Sequence, residues 1–334
     1  MTNSSILGSA WAALESEPDQ VPGLYERRVL AGSGYVVFAG LLRPGGQLRL
    51  TVDVPSIINT DGLERETKGF RVLRQYIAND RVTRVSLELT NASFRELFVV
   101  MAEDVAGRIL GASDESSAIA AMRERLNHWE RFMSASGPGG LSREKQIGLY
   151  GELTFLETML RAGIPATMAV TWWRGPVSEN QDFQAGSRAV EVKATTGNSA
   201  TAVRIANELQ LDDTDAQPLY LLHLWIKEMA GSGRSLPKLV DELTGMLTGP
   251  EAQTFADLLV AAGYHEVHRQ LYVDTGYAER QRHYYQVTDE FPRVRRRDVR
   301  SGVSRVEYGI ELAGFEGYVR DEPSVIATFA REAG

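Results

Sequence analysis

Two carboxylates and a lysine come together in a predicted β-hairpin. Apolar and polar residues alternate over 188–195, which predicts a strand with Glu191 and Lys193 on one face. The preceding Gly186-Ser187 suits a type II′ two-residue turn, because glycine is favoured at its first central position. With that turn, Asp182 lies directly opposite Glu191, and the Cβ atoms of such a pair are roughly 4.5–5.5 Å apart. Two like charges at this distance repel each other unless a cation lies between them.

This arrangement is suited to chemistry on a phosphodiester. Hard cations such as Mg²⁺ bind carboxylate oxygens and keep other coordination positions for waters and substrate phosphates. Lys193 shares a face with Glu191, so its ammonium can stabilise developing negative charge or orient an attacking water. Only five of the 36 Lys and Arg residues are lysines. A lysine at this position therefore favours a role that needs a compact ammonium rather than a guanidinium.

A third carboxylate comes from the helix predicted over 142–161, which Ser142 can cap. Glu152 lies on the apolar face of this helix. Its neighbours at helical spacing are Gly148, Leu149, Phe155, Leu156 and Met159. An ionised glutamate in such surroundings is costly unless it is paired or bound to a metal ion. Glu144 and Glu157 fall away from this face and are predicted to be solvated.

Three segments around these residues resemble the PD-(D/E)XK nuclease superfamily, whose fold many restriction endonucleases share. They are GLYGEL at 148–153, DF at 182–183 and EVKAT at 191–195. More narrowly, they resemble a bacterial branch found beside restriction and phage-defence genes. The resemblance covers about 141–226 and reaches little of the first 140 residues.

The resemblance implies a fold and a set of site residues. The fold is a restriction-endonuclease-like α/β (α+β) core, with a four-stranded mixed sheet flanked by helices. Asp182 and Glu191 would be Mg²⁺ ligands, with Mn²⁺ as a substitute, Glu152 would complete the metal site, and Lys193 would be the catalytic lysine. Gln210 matches a glutamine that this branch often carries after the core lysine and is included among the catalytic residues. Gln181 stands where the family pattern has proline.

The Glu-x-Lys pattern is weak evidence by itself. Chance gives roughly 0.7 copies in a chain of this composition, and Glu66-Thr67-Lys68 is a second copy in a polar segment. The strand context, the hairpin partner and the helical Glu152 distinguish the copy at Glu191 and Lys193. The alternative interpretation is a surface hairpin with an ordinary Glu–Lys ion pair.

The chain is predicted to contain two domains. Residues 1–134 form a smaller α+β accessory domain, 135–140 form a linker rich in small residues, and 141–334 form the nuclease-like domain with C-terminal additions. In the first domain, strands are predicted at 35–42, 47–54, 70–77 and 82–89, followed by helices from Ser93 and Asp114. In the second, the helix is followed by strands at 168–173, 182–184, 188–195 and 218–226, helices at 236–247 and 250–262, strands at 282–288 and 303–312, and a final helix near Pro323.

Charge decides where a nucleic acid could bind. With 36 Lys and Arg against 44 Asp and Glu, the net charge is −8, so DNA must meet a local basic surface. The candidate is an arginine cluster in the tail, suited to phosphate contacts. Its members are Arg293, Arg295, Arg296, Arg297 and Arg300. The alternative is a solvated loop with local ion pairs.

Composition excludes several other classes of protein. The absence of cysteine excludes disulfides and thiolate metal sites, and no Walker loop is present for NTP hydrolysis. Residues 1–15 lack the pattern of a signal peptide, and no apolar run reaches the roughly 18 residues of a membrane span. We therefore expect a cytoplasmic protein with no membrane partner. His265-x-x-His268 offers only weak support for a zinc site.

Together these patterns predict a Mg²⁺-dependent DNA endonuclease, or a nuclease subunit of a bacterial restriction or phage-defence system. The expected partners are double-stranded DNA and other subunits of such a system, and a homodimer stays open. The first 134 residues are expected to select a partner or a DNA site. The alternative is a nuclease-fold DNA-binding or assembly subunit without cleavage activity of its own.

Overall fold

The computed structural model describes residues 6–18, 21–32, 35–135, 137–177, 180–197, 202–214 and 216–332. The chain divides into two compact units, Met1–Pro138 and Gly139–Gly334. The predicted linker, 135–140, spans this division. Within the described ranges, no helix has the length and apolar character that crossing a membrane requires.

In the described residues of the first unit, one antiparallel sheet packs with three α-helices. The sheet order is β1-β2-β3-β6-β5-β4. The bounds are α1 Ile6–Ser16, β1 Gly23–Gly32, β2 Tyr35–Arg43, β3 Gln47–Pro55, β4 Arg65–Glu66, β5 Phe70–Ile77, β6 Val82–Leu89, α2 Arg95–Leu110 and α3 Glu115–Ala135. The four predicted strands correspond to β2, β3, β5 and β6, whereas α1 and β1 are additional. The side chain of Asn91, not Ser93, caps the turn that leads into α2.

The second unit is built on a mixed sheet. Its order is β11-β12-β10-β8-β7, with β14 also on β12, and β8 runs parallel to β10. The bounds are α4 Arg143–Arg161, α5 Ala166–Trp172, β7 Phe183–Ala185, β8 Arg188–Thr196, β9 Ala202–Ile205, β10 Leu219–Ala230, β11 Arg234–Ser235, α6 Leu236–Met246, α7 Pro250–Ala261, β12 Thr275–Val287, β13 Tyr308–Glu311, β14 Val319–Arg320 and α8 Glu322–Ala330.

In the part of the chain that the structure describes, this sheet has six strands rather than the four predicted. The additional strands, β11 and β14, have two residues each and both pair with β12. β11 pairs with Gly276 and Tyr277, in the part of β12 that precedes the predicted start at 282, and β14 pairs with Tyr284 and Tyr285. Both satisfy backbone groups of β12 that would otherwise lack partners. The fold is a mixed α+β fold.

The two faces of this sheet are covered differently. Helices pack on one face, where they bury Val190, Val192 and Leu222. The other face packs Ala189 and Leu221 against residues of β9, β13 and the tail. Glu191 and Lys193 alternate with Val190 and Val192 along β8, so they point to this second face.

Two predicted strands differ from the structure. Residues 168–173 lie largely within α5, and the buried Ala169, Val170 and Trp173 follow helical rather than alternating spacing. The strand predicted at 303–312 is limited to Tyr308–Glu311, which pairs with β9 in a separate two-stranded sheet.

Candidate active site

The hairpin that places Asp182 next to Glu191 has the predicted register. Phe183 pairs with Val190, and Gly186 has a φ of 54° at the first central position of the turn. Asp182 directly precedes β7, and its Oδ2 atom accepts a hydrogen bond of 2.8 Å from the backbone N–H of Val192. This bond fixes the Asp182 carboxylate against the strand that carries Glu191.

Glu191 and Lys193 form an ion pair in a nearly closed environment. Glu191 is 1% exposed, and its Oε1 atom accepts a hydrogen bond of 2.5 Å from Lys193 Nζ. Its Oε2 atom is buried and accepts no hydrogen bond from the described residues. Lys193 Nζ also donates to Gln210 Oε1 at 3.1 Å, and that oxygen accepts from the backbone N–H of Ala206 at 2.8 Å. Gln210 therefore links the Lys193 ammonium to the backbone of Ala206.

Glu152 reaches the same place from α4. Gly151 allows the helix to approach β8, because a Cβ atom there would lie 2.8 Å from the Cβ atom of Ala194. Glu152 Oε2 accepts a hydrogen bond of 2.7 Å from Trp173 Nε1. A Cβ atom on Gly175 would lie 2.6 Å from Glu152 Oε2 and 2.9 Å from Asp182 Oδ1. Glycine at 175 therefore leaves room for both carboxylates to approach the same point.

The site has more acidic groups than its one lysine can neutralise. Burial, and then the charge of Asp182, raises the pKa of Glu191 to about 8. The same two causes raise the pKa of Glu152 well above its ordinary value, and burial raises that of Asp182. Although burial opposes the charge of Lys193, the carboxylates of Glu191 and Asp182 raise its pKa. A further positive charge would stabilise the ionised acids.

Comparison with protein families assigns the chain to one of them. A family model described as "Putative PD-(D/E)XK family member, (DUF4420)" matches residues 7–313. The chain belongs to this family. The resemblance noted on the motifs is thereby confirmed, and membership in DUF4420 extends over both units. No significant match was found among curated proteins or among solved structures.

The donor set of this DUF4420 chain fits a divalent metal ion. Glu152, Asp182 and Glu191 offer hard oxygens, and the unpartnered Oε2 atom of Glu191 is costly to bury without a cation. Among the residues that the structure describes, no group of three or more His, Asp or Glu side chains is arranged to hold a metal ion. An ion held by Asp182 and Glu191 would keep positions for other ligands, as Mg²⁺ usually does. The assignment of Glu152 as a third ligand stays a prediction.

The raised pKa of Glu191 predicts how pH affects the metal-free protein. Between about pH 4.5 and pH 8 the folded state binds more protons than the unfolded state, so the free energy of unfolding falls as pH rises. One such group contributes up to about 1.4 kcal/mol per pH unit. We expect Glu191→Gln to reduce the slope of the free energy of unfolding against pH by the contribution of up to one bound proton. Urea unfolding in EDTA from pH 5 to pH 8 measures this slope. Glu144→Gln, an exposed change on α4, should keep the wild-type slope, and an unchanged slope in Glu191→Gln would contradict the prediction.

Several residues of the DUF4420 site were not found from the sequence. Trp173, at the end of the segment predicted as a strand, is buried, and its indole N–H donates to Glu152. Gln181, at the family's proline position, is buried and donates to the carbonyl of Leu209 at 2.9 Å. This bond ties the start of the hairpin to the segment that carries Gln210. The departure from proline was the signal that could have revealed it.

Most of the predicted DNA-binding arginines form ion pairs within the tail and with neighbouring segments. The Arg293 side chain is 2% exposed and contacts Asp213 at 2.9 Å. The other contacts are Arg295 with Asp289 and Asp298, Arg296 with Glu208, and Arg297 with Asp289. Arg297 and Arg300 are exposed. This is the arrangement that the ion-pair alternative describes, and DNA contact by these residues stays a prediction.

The prediction that Glu157 is solvated was wrong. It is buried rather than solvated, and its carboxylate contacts Arg161 at 2.7 Å and Arg234 at 2.6 Å. Arg234 belongs to β11, an element that the sequence did not predict. The two guanidinium groups lower the pKa of Glu157 against the cost of its burial, so this acid serves structure rather than the metal site.

Proposed function

We propose that this chain is a metal-dependent endonuclease that hydrolyses phosphodiester bonds in DNA. The observation that carries the proposal is the buried Glu191 carboxylate beside the anchored Asp182. One of its oxygens is bound to Lys193, and the other has no partner among the described residues. Mg²⁺ is the proposed ion, and the resemblance supports a setting in bacterial restriction or phage defence. The proposed partners are double-stranded DNA and other subunits of such a system.

Each residue of the site has its own proposed role. Asp182 and Glu191 would hold the cation, and Glu152 would accept or hold a proton at its carboxylate. When bound, the ion would polarise a phosphoryl oxygen and lower the pKa of a water molecule. Lys193, held by Gln210 at 3.1 Å, would direct its ammonium to the negative charge that develops on the phosphate. Trp173 holds Glu152 by its indole N–H, and Gly175 leaves room for the acids.

Metal dependence tests this proposal on the wild-type chain. We expect Mg²⁺ or Mn²⁺ to support cleavage of labelled DNA, because all of the proposed donors are hard oxygens. Ca²⁺ should support DNA binding without turnover. Gel analysis of products across these ions and in excess EDTA makes the comparison. Undiminished cleavage in EDTA would refute the mechanism.

A conservative change separates the roles of Glu152. Glu152→Gln should slow cleavage without unfolding the protein, because the neutral amide is easier to bury and its oxygen can still accept from Trp173. Cleavage rate and thermal unfolding are measured on the same preparation, with Glu144→Gln as the control on the same helix. A large loss of thermal stability with full activity would make Glu152 a structural residue instead.

The second candidate function is a DNA-binding or assembly subunit without cleavage activity. It is favoured by the Lys193–Glu191 ion pair, which satisfies one carboxylate oxygen without any metal. It predicts DNA binding or complex formation that Mg²⁺ does not change, and no cleavage under any of the ions above.

A further inference from the structure

The sheet face that carries Glu191 and Lys193 is covered over only part of its length. At the beginning of β10, Leu219 and Leu221 are buried by the elements packed on this face. His223, the strand neighbour of Lys193, is also buried and only 2% exposed. Two residues further, Trp225 is partly exposed, and Lys227 is exposed. Among the described residues, the uncovered half of the face therefore begins beside Lys193.

An aromatic residue and an arginine lie together on this uncovered half. Trp225 pairs with Thr195, two residues beyond Lys193, so the indole shares a face with the lysine. Its Nε1 atom donates to the carbonyl of Gly197 at 3.1 Å, which fixes the ring. The guanidinium carbon of Arg280 lies 5.1 Å from the ring centroid. Arg280 is the extra residue of a β-bulge opposite Trp225, and bulges redirect side chains.

The charge of this surface is positive. Neither Arg280 nor Lys227 forms an ion pair within the described part of the chain, in contrast to Arg293, Arg295, Arg296 and Arg297. The acids of the same strands point to the opposite face, where Glu228 binds Arg143 and Glu279 binds Arg282. A polyanion that reaches Lys193 can therefore continue over Arg280 and Lys227 without meeting those carboxylates.

We propose that Trp225 and Arg280 bind an unpaired nucleotide of the DNA strand that is cut. This inference rests on the proposed nuclease function and specifies its substrate. A base within a duplex has both faces stacked on its neighbours, whereas an unpaired base can stack on an aromatic ring or on a guanidinium plane. The phosphates of the same segment would contact Arg280 and Lys227. The substrate is then DNA with a single-stranded segment beside the scissile phosphate, rather than an uninterrupted duplex.

Binding measurements with matched DNA test the inference. Fluorescence anisotropy in Ca²⁺ compares one fully paired duplex with the same duplex carrying an oligothymidine extension at either the 3′ or the 5′ end. Wild type should bind one extended duplex more tightly than the paired one. Trp225→Ala should weaken binding of that extended duplex about 5- to 150-fold, the range for one base stacked on an aromatic ring. Trp225→Phe should restore most of the affinity, because it keeps an aromatic face.

The salt dependence of DNA binding tests the charged residues of this surface. Arg280→Ala should lower the slope of log affinity against log salt by about 0.7, the value for one phosphate contact to a single strand. Arg331→Ala, exposed at the C-cap of α8, and Lys238→Ala, exposed in α6, should leave affinity and slope unchanged. Circular dichroism checks that each variant is folded.

The outcomes distinguish this inference from the function on which it rests. If wild type cleaves DNA but the Trp225 and Arg280 variants bind and cut extended and paired DNA equally well, the inference is wrong and the nuclease function stands. If wild type binds extended DNA through Trp225 but cuts nothing with Mg²⁺ or Mn²⁺, the surface is supported and the nuclease function is wrong. If wild type neither binds nor cuts, both are overturned.

Discussion

Replacing Lys193 with alanine should lower the single-turnover rate of DNA cleavage by about 10²- to 10³-fold, the usual loss for a group that stabilises transition-state charge. The ammonium lies 2.5 Å from Glu191 Oε1 and 3.1 Å from Gln210 Oε1, beside the proposed metal ligands. Since the charge that it stabilises develops only during reaction, binding of DNA in Ca²⁺ should change little. Cleavage rates and equilibrium binding are measured on the same labelled DNA.

Two further lysine variants make this result specific. Lys193→Arg should also fail, because a planar guanidinium cannot replace a compact ammonium held between Glu191 and Gln210. Lys68→Ala is the matched control, since Lys68 belongs to the other Glu-x-Lys sequence and is exposed. Near-normal cleavage by Lys193→Arg would favour the ordinary hairpin ion pair. Equal losses in Lys193→Ala and Lys68→Ala would show that the assay does not report on this site.

Replacing Asp182 with asparagine should remove both metal binding and cleavage. The carboxylate is anchored by the N–H of Val192 and is one of the two proposed ligands. Losing the ion removes several kcal/mol of transition-state stabilisation, or about 10³-fold or more in rate. Because an ion that binds only the folded state raises the free energy of unfolding, Mg²⁺ should stabilise wild type but not the variant. Urea unfolding with and without Mg²⁺ measures this difference.

The control for Asp182→Asn is again Glu144→Gln, which should keep both the stabilisation by Mg²⁺ and the cleavage rate. In the metal-free protein, Asp182→Asn should not lower stability strongly, because burial already raises the pKa of Asp182 and disfavours its charge. Stabilisation by Mg²⁺ that is equal in wild type and in Asp182→Asn would place the ion elsewhere in the chain.

The parts of the site that depend on local rules were predictable from the sequence. The turn at Gly186-Ser187 and the two-residue period of β8 fix the register of the hairpin, and both are set by neighbouring residues. The cap at Ser142 and the helical spacing around Glu152 are local in the same way. These local rules place Asp182 opposite Glu191 and put Glu152 on the apolar face of its helix. The meeting of Glu152 with the hairpin was implied only by the family resemblance.

The contacts that complete the site depend on tertiary packing. Trp173 binds Glu152 across 21 residues, and Gln181 binds the carbonyl of Leu209 across 28. Hydrophobic pattern does not specify such contacts, because a buried tryptophan is compatible with many partners. The helix at Ala166–Trp172 was predicted as a strand since short apolar runs fit both periods. Glu157 was predicted as solvated because its partner Arg234 comes from distant β11.

The most direct test of the central claim is a crystal structure of the chain with DNA and Ca²⁺, the ion expected to allow binding without turnover. The site proposed here predicts Ca²⁺ bound by carboxylate oxygens of Asp182 and Glu191 at about 2.3–2.6 Å. A DNA phosphate should be a further ligand, and Lys193 Nζ should lie within hydrogen-bond distance of that phosphate. DNA bound away from Asp182, with Lys193 still paired to Glu191 and no ion between the two carboxylates, would contradict the account.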